Sequence, residues 1–160
     1  MIHAQGPDSD RYSPKSPDAI AFSDFSGYED WATVSCARQV DVLKVIVANS
    51  AMIQAFKAGI PLSGKPFPEG SMTVKLQWSP KEDKEAPFDV EVPDAFKQAF
   101  VMEKDSKRFP KTGGRGYAVF NYDDAMNRST PDPTSHADCG NMCHVAVKGK
   151  DYIFHPYEKR

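Results

Sequence analysis

The chain is 160 residues long, enough for one domain with a real core and room for a cofactor. Its 20 Lys and Arg against 22 Asp and Glu leave a net charge of -2, and no long basic run concentrates the positive charge; neither nucleic acid nor an anionic membrane is indicated as a partner. Hydrophobic residues make up 40% and charged residues 26%, which suits a soluble globular class, and no apolar stretch approaches the roughly 20 residues of a membrane span.

Residues 1–19, rich in Pro, Ser and Asp, read as an extended arm ahead of a single domain over 20–160. Met1-Ile2-His3-Ala4-Gln5 has neither the basic start nor the apolar core of a secretory leader. Cys36 lies in an apolar neighbourhood and is expected to be a small buried side chain. From Asp41, Val42, Ile46, Asn49, Ile53 and Phe56 recur at steps of three and four. This predicts one long amphipathic helix, capped by Asp41 and stopped by Gly59 and Pro61. After the turn-rich Gly64–Gly70 segment, Met72, Val74, Leu76 and Trp78 alternate with Thr73, Lys75 and Gln77, the signature of a half-buried strand.

The Lys81–Glu85 charge run is expected in a solvated loop. Phe88–Val92 reads as a short strand, Asp94–Gln98 as a helical turn and Phe100–Lys104 as another strand. A Pro/Gly loop over Arg108–Gly116 follows, then Tyr117–Tyr122, the most strand-like run of the chain, and a loop with Pro131 and Pro133. Short strands joined by hairpins, with one long helix and short helical pieces, predict an α+β fold built on a mainly antiparallel sheet. Phe67, Phe88, Phe100 and Phe120 are expected in the core, some of them as cavity walls, and Met102 as a core residue.

Chemistry concentrates in Cys139-Gly140-Asn141-Met142-Cys143-His144. Two cysteines followed directly by a histidine are how c-type cytochromes hold haem: the thiols add across the vinyl groups and the imidazole ligates iron. The usual C-x-x-C-H spacing has one residue fewer. At about 100° per residue, cysteines three apart sit roughly 60° from each other around a helix and cysteines four apart roughly 40°. Both spacings present two thiols on one face. Two other readings stay open: a zinc site from His136, Cys139, Cys143 and His144, and a Cys139–Cys143 disulfide.

Three blocks, GIPLSGKPFPEGSMTVKLQW, FVMEKDSKRFPKTGGRGYAVF and CGNMCHVAVKGKDYIFHPY, set within about Trp31 to Tyr157, give the chain a resemblance to the cytochrome P460 family, which includes the cytochromes c'-beta. The resemblance implies Cys139 and Cys143 as thioether anchors of a covalent haem c near the C-terminus and His144 as the proximal ligand of a five-coordinate iron. It implies Lys75 as the lysine bonded to a porphyrin meso carbon and Glu103 as a distal-pocket glutamate for proton transfer. It further implies a periplasmic homodimer that oxidises hydroxylamine towards nitrous or nitric oxide and passes electrons to an external acceptor such as a c-type cytochrome. The alternative within the resemblance is a nitric oxide or gas binder of the cytochrome c'-beta kind, without turnover. Covalent haem attachment takes place outside the cytoplasm, so a leader is expected to have been removed. Two departures stand out: the extra residue between the cysteines, and Arg115 where GGxG is expected to carry an aromatic residue. From the residues alone, Lys75 falls on the polar strand face as a solvated lysine and Glu103 reads as an exposed ion-pair partner.

Overall fold

A computed structural model of the chain describes residues 12–157. The fold is α+β, as expected: six antiparallel strands in the order of the sequence form one meander. They are β1 (Ala32–Gln39), β2 (Val42–Ala48), β3 (Met72–Glu82), β4 (Glu91–Lys104), β5 (Arg115–Asp123) and β6 (Arg128–Pro131). Two eight-residue helices, α1 (Ser50–Lys57) and α2 (Ala137–His144), and several 3-10 turns complete it.

The helix expected from Asp41 to Phe56 exists only in its second half. Val42, Val45, Ile46 and Val47 are β-branched and stiff at χ1, and the run pairs with a strand on each side as β2. Ladder pairing on both edges outweighs a helical apolar period. The preceding turn, Val40-Asp41, lacks the usual hairpin glycine or asparagine, and Val40 itself takes φ 46°. Asn49, expected inside the helix, is the cap of α1: its Oδ1 accepts the Met52 N–H at 3.2 Å.

The segments expected as a short strand, a helical turn and a second strand between Phe88 and Lys104 are mostly one strand, the 14-residue β4. It runs against β3 through two register irregularities, between Gln77 and Trp78 and between Trp78 and Pro80. Ser79 Oγ accepts the Ala95 N–H at 3.1 Å, which helps hold the strand through the stretch expected to be helical. Phe88 lies outside the strand and is 68% exposed, so it is no core residue. Lys81 and Glu82 end β3 rather than lying in a loop. Cys36 is exposed, because β1 is an edge strand in which only Val34 and Ser35 are buried.

Residues 1–11 of the expected arm lie outside the described residues. The following stretch folds back on itself: Lys15 bridges to Ala21, and Ile20 N–H donates to Ser16 Oγ at 3.1 Å. Just beyond it Phe22 and Phe25 pack their rings 5.4 and 5.3 Å from that of Phe120. Full burial of such a side chain contributes about 2 to 3 kcal/mol. The register sorts the sheet into two faces. The rows Val74–Val101–Ala118 and Leu76–Ala99–Phe120 alternate with the rows Thr73–Met102–Tyr117 and Lys75–Phe100–Val119. The first pair belongs to the face covered by Phe22 and Phe25, and the second to the face over which α2 lies.

Candidate functional site

The loop before α2 is shaped by Asp132, whose Oδ1 accepts the Thr134 N–H at 2.8 Å and the Thr134 hydroxyl at 2.7 Å. Those hydrogen bonds hold its carboxyl below the usual range. Asp18 comes from the other end of the chain to the start of α2, accepting the Ala137 N–H and facing His136 Nδ1 at 3.4 Å. Its negative charge sits where the helix dipole favours it. Gly140 lets α2 lie against β5, since a Cβ there would come within 2.2 Å of Tyr117 Cγ. Cys139 and Cys143 are one turn apart, exposed and free of any disulfide.

His144, the last residue of α2, is half-buried between Tyr117 and Phe154, whose rings lie 5.0 and 4.9 Å from its own. Its Nδ1 lies 2.7 Å from the Tyr152 carbonyl oxygen. A carbonyl only accepts, so Nδ1 carries the proton and Nε2 keeps a lone pair. Burial pushes the His144 pKa down, which favours the neutral imidazole that ligates iron.

Cys139, Cys143 and His144 line a cavity of about 480 Å³ between α2 and the sheet, well within the range of small-molecule sites. Its other wall is the sheet face carrying Lys75, Phe100, Met102 and Tyr117. Lys75, taken from the residues alone as solvated, is half-buried with its Nζ 4.0 Å from the centroid of the Phe100 ring. Burial lowers its pKa first and the charge of Lys44 second, both easing deprotonation of the amine. The Tyr117 hydroxyl is buried without a hydrogen-bond partner, and burial pushes its pKa up.

Glu103 does not join this group. It is one residue out of step with Phe100 and Met102, so strand alternation carries its side chain to the opposite face. There Arg108 Nη1 donates to both carboxylate oxygens, at 3.0 and 3.2 Å, while Arg108 Nη2 donates to the Ala19 carbonyl at 3.0 Å. Burial raises the Glu103 pKa and Arg108 opposes the rise. The carboxylate that does line the cavity is Asp132, which is not among the residues expected from the sequence. Its signal was the Asp132-Pro133-Thr134 turn directly ahead of the cysteine cluster.

Among the described residues no three His, Cys, Asp or Glu side chains converge as a metal site would require, which argues against the zinc reading. A free imidazole nitrogen, two thiols on one helical face, an apolar wall and an unpartnered phenol all suit a haem. No helix among the described residues is long and apolar enough to cross a membrane. A comparison with curated proteins finds no significant match. The family model described as Cytochrome P460 matches residues 25–155. On that match, which spans the whole of the sheet and the whole of the cavity, the chain belongs to the cytochrome P460 family of haem proteins.

Proposed function

We propose that the protein is a c-type haem oxidoreductase that oxidises hydroxylamine towards nitrous or nitric oxide. The observation that carries this reading is the convergence of Lys75 with Cys139, Cys143 and His144 on one cavity. Haem supplies the redox centre when bound. Cys139 and Cys143 are its thioether anchors, and His144 offers Nε2 to iron while the Tyr152 carbonyl fixes the ring. Lys75, whose burial eases deprotonation of its amine, would be the residue bonded to the porphyrin edge; the bond would replace a meso C–H and an N–H with loss of two protons and two electrons, and so would need a two-electron oxidant such as a peroxide. Asp132, kept ionised by Thr134, accepts hydrogen bonds from the N–H and O–H groups of hydroxylamine. No role at the iron is assigned to Glu103, whose carboxylate Arg108 holds on the other sheet face. A homodimer, a periplasmic location and an external electron acceptor such as a c-type cytochrome belong to the same proposal.

The mainly apolar wall of Phe100, Met102 and Val119 favours one alternative, a nitric oxide binder without turnover. Steady-state assays of the haem-loaded protein separate the two. Hydroxylamine-dependent reduction of an added acceptor, lowered about 10-fold or more by Asp132→Asn, supports the enzyme. Reversible nitric oxide binding with no such reduction supports the gas binder.

A further inference from the structure

Three charged side chains meet under the last turn of the described chain. Arg115 is fully buried, and the side chains of Lys104 and Asp151 are only 8% and 10% exposed. Arg115 Nη2 donates to the Asp151 carboxylate at 2.6 Å and to the Asp151 backbone carbonyl at 3.0 Å. Lys104 Nζ donates to the other Asp151 oxygen at 3.3 Å and to the Gly113 carbonyl at 3.1 Å. The Phe67 N–H donates to Asp151 as well, at 2.8 Å. Burying charges costs several kcal/mol per ion before pairing offsets it, so an apolar cluster would hold this corner together as well.

What the charges hold is a strained turn. Asp151 and Tyr152 have φ of 48° and 67°, two consecutive left-handed residues, neither of them glycine. A Cβ disfavours this conformation, so the surrounding contacts must hold it in place. The Tyr152 phenol is anchored separately, packed where a Cβ on Gly113 would meet its oxygen at 2.2 Å. The product of this arrangement is one backbone carbonyl, that of Tyr152, aimed at His144 Nδ1.

We infer that Asp151, gripped by Arg115 and Lys104, is a positioning residue that sets the orientation and donor strength of His144 through the Tyr152 carbonyl. The inference rests on the proposed role of His144 as iron ligand. A hydrogen bond on the far nitrogen fixes an imidazole's tautomer and ring plane and raises its basicity as a ligand. Arg115, the residue standing where an aromatic was expected, is thus the buried base of this control.

The test uses the haem-loaded ferrous protein and reads the iron–histidine stretching band by resonance Raman, together with the midpoint potential. Arg115→Met leaves Lys104 and Asp151 as a balanced pair, and Asp151→Asn keeps a side chain that tolerates the left-handed turn. Both variants are expected to lower the band frequency and make the potential more positive, with Arg115→Lys restoring part of each shift. Glu91→Gln, at the exposed start of β4, should move neither. Where Arg115→Met fails to fold, Asp151→Asn carries the same test. An unmoved band and potential in a folded variant with full haem content overturn the inference. Absence of any iron–histidine band in the unsubstituted protein overturns instead the role of His144 on which it rests.

Discussion

Gly140 helps set where both thiols sit, because its lack of a Cβ lets α2 lie close against Tyr117 of the sheet. Alanine there would gain about 1 kcal/mol of helix propensity but would drive a methyl to 2.2 Å from Tyr117 Cγ and 2.5 Å from its Cβ. Overpacking of that kind costs about 1 to 3 kcal/mol, and the Tyr117 Cβ has little freedom to move. Gly140→Ala is therefore expected to lower the stability of the protein by about 2 kcal/mol in urea unfolding and to reduce haem incorporation; a variant as stable as the parent would show that α2 is not seated on Tyr117. At this scale the cysteine–histidine cluster was open to reading because its members are neighbours in the chain. The sides taken by Lys75 and Glu103 were not. Both lie on strands, and a single step of register decides whether a side chain faces the cavity or its back.

Among the elements, α1 is fixed at its start by a single side chain. Asn49 Oδ1 accepts from both Met52 N–H and Met72 N–H at 3.2 Å, and its Nδ2 donates to the Gly70 carbonyl at 2.8 Å. It thus caps the helix and ties it to the start of β3. Replacing a capping asparagine with alanine costs about 1 kcal/mol, and the two further groups left without partners raise the expected loss for Asn49→Ala to about 2 kcal/mol. A change in the urea midpoint equivalent to less than half of that would mean water replaces the cap. The same residue accounts for the difference from the expected long helix: an asparagine spaced like a core position extends the apparent helical period, whereas it caps the helix instead. The strand preference of Val45, Ile46 and Val47 before it becomes decisive only once β1 and β3 flank them. The hairpin at Val40-Asp41 gave no warning because its turn chemistry is unfavourable.

Across the whole molecule, the loops joining the sheet at the α1 end are tied by Glu69, which accepts the Ser106 hydroxyl at 2.6 Å and the Ser106 N–H at 2.8 Å. These bonds, the hydroxyl first, hold the Glu69 carboxyl below its usual range. A carboxylate whose pKa is depressed by folding contributes stability above its unfolded pKa and loses it as pH falls through the lower folded one. Glu69→Gln should therefore be less stable than the parent at about pH 6, with the gap closing towards about pH 3. A gap independent of pH would assign its effect to something other than charge. The α+β class and the antiparallel meander were readable from strand spacing and hairpin-length connections. The closure of the molecule by Asp151 onto Arg115, 36 residues earlier, was hidden. Nothing in a lone Arg or Asp announces a buried partner, and only folding brings the C-terminal turn beneath the cysteine helix.

A haem held by Cys139, Cys143 and His144 with Lys75 bonded to its edge should differ from an ordinary c-type haem in its ferrous optical spectrum. Purified, haem-loaded protein is expected to show a Soret band displaced far to the red of an ordinary c-type haem, and Lys75→Arg should return it to the ordinary position. An ordinary high-spin band in the unsubstituted protein, identical to that of Lys75→Arg, would contradict the claim.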